Sequence, residues 1–139
     1  AAVIICSEES LKKFNLTPLA RVVAYHTSGV EPTLMGFGPV PAIENLLKKT
    51  NKQISDIDLF DINEAFAPQF LSCQKVLNLP NEKTNVNGGA IALGHPLGAS
   101  GTRITANLVY ELRRRQGKYA VGAACIGGGQ GISILLERV

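Results

Sequence analysis

Three residues of this 139-residue chain combine a chemically useful side chain with a position beside a predicted strand or helix. Asn63 follows a run that alternates Ile, Leu and Phe with Asp, His95 stands between glycines, and Cys125 precedes three consecutive glycines. In open α/β sheets, functional clefts lie outside the carboxyl ends of the strands, where such residues can meet. An amide, an imidazole and a thiol are together suited to proton transfer and to stabilising a developing oxyanion.

Each of these residues also has a structural interpretation. Asn is among the best helix caps, and from the residues alone we interpret Asn63 as the N-cap of the following helix. Histidine exchanges protons near neutral pH, and Pro96 favours an extended, exposed His95, so we favour a functional role there. Cys125 is either a small buried residue before a hairpin turn or an acid/base beside free backbone N–H groups. His26, inside a predicted strand, is interpreted as structural.

Glycine is concentrated in the second half of the chain. Eleven of the 14 glycines lie between Gly88 and Gly131, which indicates a site there. The segment Gly89–Gly94 has the glycine spacing of a phosphate-binding loop, but His95 and Pro96 replace the required Lys and Ser or Thr. The run Gly127–Gly131 lacks the glycine pattern of a dinucleotide site. Neither ATP nor NAD binding is predicted.

Strands and helices alternate along the chain. Predicted strands cover residues 2–6, 19–28, 57–62, 119–126 and 132–139. One predicted helix follows Ser7 and ends before Thr17, a second runs from Pro39 or Pro41 to residue 50, and two more cover 64–77 and 102–116, with Ser7 and Ser100 as caps. The third helix either starts near Pro68 or is disturbed in its first turns. We therefore predict one α/β domain over residues 1–139, a mixed, mostly parallel five-stranded sheet with helices on both faces and an antiparallel final hairpin.

Composition excludes several classes of function. The net charge is only +3, the one dense basic run is Arg113–Arg115, and Trp is absent, so nucleic acid is not a predicted partner. Three cysteines without a CxxC pair support neither a disulfide framework nor a metal site, and Cys6 and Cys73 are predicted to be inert. No apolar run approaches the roughly 18 residues of a membrane span. The chain starts without Met and is interpreted as a piece of a longer protein.

Three segments carry a resemblance to a known family. Asn63–Ala67 (NEAFA), Asn87–Gly101 (NGGAIALGHPLGASG) and Cys125–Gly131 (CIGGGQG) resemble, in order and spacing, the three C-terminal motifs of the thiolases. The similarity runs over the whole chain and, within the family, is strongest to mitochondrial 3-ketoacyl-CoA thiolases of fatty-acid oxidation. The resemblance implies a C-terminal thiolase half, one of two similar halves whose sheets pack around shared central helices.

The implied activity is acyl transfer, in which coenzyme A splits a 3-oxoacyl-CoA into acetyl-CoA and a shortened acyl-CoA, or the reverse condensation. By resemblance, His95 would activate a nucleophilic cysteine and stabilise a thioester oxyanion, and Asn63 would hold a water that completes this oxyanion hole. Cys125 would exchange a proton with the acetyl carbon and with the coenzyme A thiol. The Gly127 N–H would serve a second oxyanion hole.

Further expectations follow from the same resemblance. Met35, Ala65 and Phe66 would lie near the acyl and pantetheine end of the substrate, and coenzyme A would be a cosubstrate, with no cofactor. The acylated cysteine belongs to the N-terminal half, which this chain lacks, so the chain alone is predicted to be inactive. Its partners would be that half and further subunits of a homodimer or homotetramer. The implied location is mitochondrial, with a cytoplasmic one as the alternative.

Two other functions remain open from the sequence. A biosynthetic acetoacetyl-CoA thiolase shares all three motifs. A non-catalytic thiolase-like half-module, retained for assembly or lipid binding, would lack the upstream cysteine motif altogether.

Overall fold

The computed structural model describes all residues 1–139, which form one four-stranded sheet with helices on both faces. The strands are Ala20–Gly29 (β1), Leu59–Ile62 (β2), Tyr119–Ile126 (β3) and Gln130–Arg138 (β4), in the spatial order β1-β4-β3-β2. β4 pairs antiparallel with β1 and with β3, whereas β2 and β3 are parallel. The parallel pair brings the carboxyl ends of β2 and β3 to the same edge of the sheet.

The helices are Glu8–Phe14 (α1), Pro39–Lys49 (α2), Ala67–Leu77 (α3), Ala90–Leu93 (α4) and Leu97–Arg115 (α5), with short 3₁₀ turns at Pro32–Phe37, Ile54–Asp56 and Asn81–Lys83. None of them is both long and apolar enough to cross a bilayer. One core packs α2 and α3 against Phe60, Ile62 and Val121 of the sheet. A smaller core packs α5 against Leu59 and Ala120 on the opposite face. β2 is thus buried on both sides, which explains its largely apolar sequence.

The predicted α/β class and the antiparallel final hairpin are confirmed, but the five-stranded, mostly parallel sheet is wrong in detail. Only one of the three strand pairings is parallel. Residues 2–6 form no strand: Ile4 is 94% and Ile5 82% exposed, and Cys6 is exposed rather than buried. A β-branched run becomes a strand through pairing and packing, and within this chain no neighbouring strand supplies either.

Proline sets the starts of two helices. α3 begins at Ala67, which confirms the predicted start near Pro68, since proline is tolerated only in the first turn of a helix. α5 begins at Leu97 rather than residue 102, with Pro96 at the N-cap. Ser100 therefore lies inside the helix and is not its cap. The predicted cap of α1 is confirmed, because the Ser7 hydroxyl accepts a hydrogen bond from the Ser10 N–H.

The backbone of β4 lies directly against the start of α2 at a pair of glycines. A Cβ atom on Gly131 would lie 1.9 Å from the Gly38 carbonyl oxygen, which is backbone and cannot move aside. We expect Gly131→Ala to destabilise the full-length protein by about 3 kcal/mol, the upper end of the usual cost of overpacking a core. Urea unfolding measures this.

The matched control for this variant is Gly29→Ala, because a Cβ atom at Gly29 has no neighbour within 4 Å. The control is expected to unfold at the wild-type urea concentration. An unchanged midpoint for Gly131→Ala would contradict the close approach of β4 to α2.

Candidate active site

Asn63 and Cys125 lie at the same edge of the sheet because β2 and β3 run in parallel. Ile62 is in register with Ala123, and the Asn63 N–H donates to the Ala123 carbonyl over 2.8 Å. This bond continues the ladder by one residue beyond β2. Both residues therefore stand where the paired strands end, as the sequence predicted.

The Asn63 side chain contacts His95. Its Nδ2 lies 3.2 Å from His95 Nε2, and the residue is fully buried. The interpretation of Asn63 as a helix cap is wrong, because Phe66 occupies the N-cap position of α3 and no side chain caps that helix. The amide is used at the sheet edge instead, which leaves the α3 terminus without a side-chain cap.

The other ring nitrogen of His95 contacts α5. His95 Nδ1 lies 2.7 Å from the Ser100 Oγ, and that hydroxyl lies 3.1 Å from the Pro96 carbonyl. Ser100 has one proton to donate. If the Ser100 hydroxyl donates to the Pro96 carbonyl, His95 Nδ1 carries the ring proton and Nε2 accepts from the Asn63 amide. If the hydroxyl donates to Nδ1 instead, Nε2 carries the ring proton and the Asn63 amide must present its oxygen. The proton on Nε2 is therefore coupled to Ser100 and to Asn63.

The second polar atom of the Asn63 amide is free. Asn63 Oδ1 is buried and has no hydrogen-bond partner in the chain. Buried polar atoms are nearly always paired, so an unpaired one beside an imidazole is a natural place for a bound polar group. His95 itself is exposed, which leaves the imidazole accessible from outside the chain.

Cys125 contacts neither Asn63 nor His95 through a hydrogen bond, although all three lie near one edge. Its thiol is half-buried, and burial raises the pKa of Cys125 above its ordinary value. The thiol is consequently protonated at neutral pH and can act as an acid. Cys73 on α3 differs: it is fully buried, burial raises its pKa to about 11, and its Sγ donates to the Gly36 carbonyl. The prediction of an inert Cys73 agrees with this position.

The turn after Cys125 exposes backbone N–H groups. Gly128 and Gly129 adopt φ of 85° and 87°, a region that favours glycine. Gly129 also lies against the chain, because a Cβ there would sit 2.4 Å from the Val30 carbonyl oxygen. Gly127 is exposed and its N–H has no acceptor within the chain. The Gly127 N–H is therefore free to donate to an anion.

The residues predicted to lie near the substrate are on two touching segments. Met35 is half-buried in the 3₁₀ turn before α2, and Phe66 is 62% exposed at the start of α3. Gln69 of α3 packs against Gly36, where a Cβ atom would lie 2.9 Å from Gln69 Cγ. Its Oε1 also accepts from the Ala65 N–H over 3.1 Å. Gln69, which the sequence analysis missed, thus links the turn that carries Met35 to the segment that carries Ala65.

A buried ion pair lies under the site and was also missed. Asp61, fully buried on β2, accepts hydrogen bonds from Arg103 at 2.8 Å and from Asn107 at 2.8 Å, both on α5. Burial raises the pKa of Asp61, and the Arg103 charge opposes this effect. Because Asp61 is two residues before Asn63, the pair ties the end of β2 to α5. An aspartate inside an otherwise apolar strand was the available signal.

No group of three or more His, Cys, Asp or Glu side chains is arranged to hold a metal ion. The titratable residues at the sheet edge are His95 and Cys125, with Glu64 next to Asn63. The arrangement can donate, accept and exchange protons and can bind an oxyanion.

The chain is similar to known proteins along most of its length. The family model described as "Thiolase, C-terminal domain" matches residues 16–138. The chain is 68% identical over 137 residues to mitochondrial 3-ketoacyl-CoA thiolase of Mus musculus, and 50% identical over 139 residues to acetyl-CoA acetyltransferase of Escherichia coli. These matches cover 99% and 100% of the chain but 34% and 35% of the relatives. The chain therefore spans about a third of their length.

A solved structure matches the fold as well. The structure of human mitochondrial 3-ketoacyl-CoA thiolase in complex with CoA superposes with a TM-score of 0.94 at 62% sequence identity. The match covers 96% of this chain and 34% of the solved one.

Proposed function

The chain belongs to the thiolase family, as a C-terminal domain, and on that premise we propose that its full-length protein cleaves 3-oxoacyl-CoA with coenzyme A. The products are acetyl-CoA and an acyl-CoA shortened by two carbons, and the reaction is reversible. The observation that carries the proposal is the contact between Asn63 Nδ2 and His95 Nε2, 3.2 Å long, at the sheet edge where Cys125 also lies.

His95 and Asn63 are assigned to the thioester oxygen. In thiolysis the cysteine thiolate attacks the 3-oxo carbonyl and expels the acetyl-CoA enolate, and coenzyme A then attacks the resulting acyl-cysteine thioester. At each attack negative charge develops on the carbonyl oxygen, and a preorganised donor stabilises it. In the tautomer with the ring proton on Nδ1, the exposed His95 imidazole accepts the proton of the attacking thiol at Nε2 and then presents that N–H to the oxygen. In the same state Asn63 Oδ1 is buried and unpaired, and it can hold a water that supplies the second donor.

Cys125 and Gly127 are assigned to the carbon–carbon step. Thiolysis releases an acetyl-CoA enolate, which must gain a proton at carbon while the incoming coenzyme A thiol loses one. A half-buried thiol that is protonated at neutral pH is a suitable proton donor. The free Gly127 N–H stabilises the enolate oxygen, because it needs no rearrangement to donate.

The substrate chain is assigned to the segments that carry Met35, Ala65 and Phe66. Phe66 exposes most of an aromatic ring beside the site, and apolar side chains of this kind bind an acyl or pantetheine chain. Coenzyme A enters as a cosubstrate, and the proposal needs no cofactor or metal.

The missing nucleophile makes an N-terminal thiolase half the main partner. An apolar groove of about 210 Å³ runs beside α5 and is available for its helices; Gly101, Ile104, Thr105, Ala124, Ile132 and Ile134 line it. The assembled protein is proposed to be a homodimer or homotetramer. The mitochondrial relatives support a mitochondrial location.

The decisive experiment compares the full-length protein with the 139-residue chain. The full-length protein is expected to split acetoacetyl-CoA and longer 3-oxoacyl-CoA. The reaction is monitored by the decrease in the absorbance of the substrate's enolate form. The isolated chain is expected to show no turnover, because covalent acyl transfer requires the absent thiol. Robust thiolysis by the chain alone would contradict the division of roles.

The substrate profile separates the two enzymatic alternatives. Activity on long as well as four-carbon substrates supports the degradative enzyme, whereas activity confined to acetoacetyl-CoA favours a biosynthetic one. An inactive full-length protein without an upstream cysteine motif would favour the non-catalytic half-module.

A further inference from the structure

The Glu64 side chain connects the two segments that carry Asn63 and His95. Glu64 directly follows Asn63, and its Oε2 accepts a hydrogen bond from the Ile91 N–H over 3.0 Å. Ile91 lies on α4, four residues before His95. The other carboxylate oxygen, Oε1, accepts from the Asn85 amide over 3.0 Å. One carboxylate is therefore shared between the end of β2 and the approach to His95.

The fit of this carboxylate is tight on the side of α4. A Cβ atom on Gly89 would lie 2.2 Å from Glu64 Cδ and 2.4 Å from Glu64 Oε2. Gly89 thus allows the carboxylate to lie directly against the backbone. At the other end of α4, Gly94 adopts a φ of 96° and a ψ of 160°, which only glycine adopts readily. The segment between the Glu64 contact at Ile91 and His95 is therefore short, and close packing at Gly89 and the backbone conformation of Gly94 restrict it.

Asn85 fixes the other side of the carboxylate to β2. Its Oδ1 accepts from the Ile62 N–H over 2.8 Å, and its Nδ2 donates to the Ile62 carbonyl over 2.9 Å. The Asn85 N–H also donates to the Phe60 carbonyl over 2.9 Å. Asn85 thereby satisfies the free edge of β2 at the residue before Asn63. The same amide that holds Ile62 also holds Glu64.

We propose that Glu64 is a positioning residue that sets the distance between Asn63 and His95 in the reaction proposed above. An ionised carboxylate only accepts hydrogen bonds, and here both oxygens face N–H donors, from Ile91 and Asn85. A glutamine of the same shape must turn its own NH₂ towards one of these donors. Replacing Glu64 by glutamine therefore breaks the hydrogen bond to Ile91 or the one to Asn85 with almost no change in side-chain volume.

Glu64→Gln in the full-length protein is the first test. Loss of a link is expected to lower kcat for thiolysis about 10- to 100-fold while KM changes less than about threefold, the usual cost of misplacing catalytic groups by about 1 Å. Glu44→Gln is the matched control, because Glu44 is exposed on α2 and its carboxylate makes no hydrogen bond or ion pair. The control is expected to retain wild-type kcat and KM. A wild-type kcat for Glu64→Gln would overturn the proposal.

A crystal structure of the full-length Glu64→Gln variant tests positioning without substrate. The Asn63–His95 contact of 3.2 Å is expected to lengthen beyond hydrogen-bonding range. An unchanged contact, whatever the activity, would overturn the positioning role. A wild-type protein that lacks thiolysis would instead overturn only the proposed function, since the distance is measured independently of turnover.

A double-mutant cycle with Asn85→Asp separates positioning from general damage. This variant removes the amide donor to Glu64 and places two carboxylates together, so kcat is expected to fall as it does in Glu64→Gln. The double variant is expected to lose no more kcat than the worse single variant, because both substitutions disturb the hydrogen bonds of the same carboxylate. Multiplicative losses, or losses that parallel a fall in melting temperature, would overturn the proposal.

Discussion

His95→Ala in the full-length protein is expected to lower kcat/KM for thiolysis about 10³- to 10⁴-fold, the upper scale of a general base or an oxyanion donor acting alone. The imidazole is the only side chain at the sheet edge that contacts Asn63 on one nitrogen and Ser100 on the other. Alanine removes both the proton acceptor and the donor at Nε2. Steady-state kinetics with a 3-oxoacyl-CoA measures the loss.

His26→Ala is the matched control, since His26 and His95 are the only histidines of the chain. His26 lies half-buried on β1, in register with Ser133, and makes no side-chain hydrogen bond. It is expected to retain kcat/KM within about threefold, because β4 and β3 separate its strand from β2 and it contacts no residue of the site. If both variants lost activity equally, the loss would reflect folding rather than catalysis by His95.

The spacing of apolar residues predicted most of the helices and strands, because buried positions recur at regular intervals along each of them. β3 was predicted with its observed bounds, 119–126, and the hairpin with β4 follows from the glycine turn between them. The edge where Asn63 and Cys125 meet was predicted from the rule that parallel strands end together. These inferences depend on the periodicity of apolar residues and on the residue types found in turns, both of which can be read from the sequence.

The failures have a common physical origin in contacts between distant residues. Asn63 was interpreted as a helix cap because its partner, His95, is 32 residues away and no local signal links them. Ser100 was assigned to capping for the same reason, although it bonds the His95 ring. The segment 2–6 shows the converse case, in which a good strand pattern finds no partner within the chain.

Polar residues in unusual places were the neglected signal. Asp61 interrupts an apolar strand, and Glu64 follows it by three residues, yet neither was selected as functional. In the structure one pairs with Arg103 and the other accepts from Ile91 and Asn85. Residues that hold the reactive groups in place can be recognised because a charged side chain is costly to bury and needs partners, not because it is reactive.

Cys125→Ser separates the two halves of the proposed reaction. A serine hydroxyl has almost the same size as the thiol but a far higher pKa, so it neither gives nor takes a proton readily. The carbon–carbon step is expected to slow about 10²- to 10⁴-fold, the scale of acid–base catalysis, and acylation of the nucleophile less than about tenfold. Single-turnover labelling by acetyl-CoA measures acylation, and formation of acetoacetyl-CoA measures the second step.

The control for this variant is Cys6→Ser, which changes a thiol on the segment before α1 and is expected to leave both steps at wild-type rates. Equal losses in the two steps for Cys125→Ser would contradict its assignment to the carbon–carbon step.

The raised pKa of Cys125 predicts how the rates of thiolysis and condensation change with pH. Burial keeps the thiol protonated to a higher pH than an exposed cysteine, so the acid form needed for thiolysis is present throughout the neutral range. Condensation needs the thiolate, which takes a proton from the acetyl carbon, and its rate is expected to keep rising above the ordinary thiol range. Cys125→Ser is expected to abolish this alkaline rise in the single-turnover rate of condensation. A rise that persists in the variant would assign the proton transfer to another group.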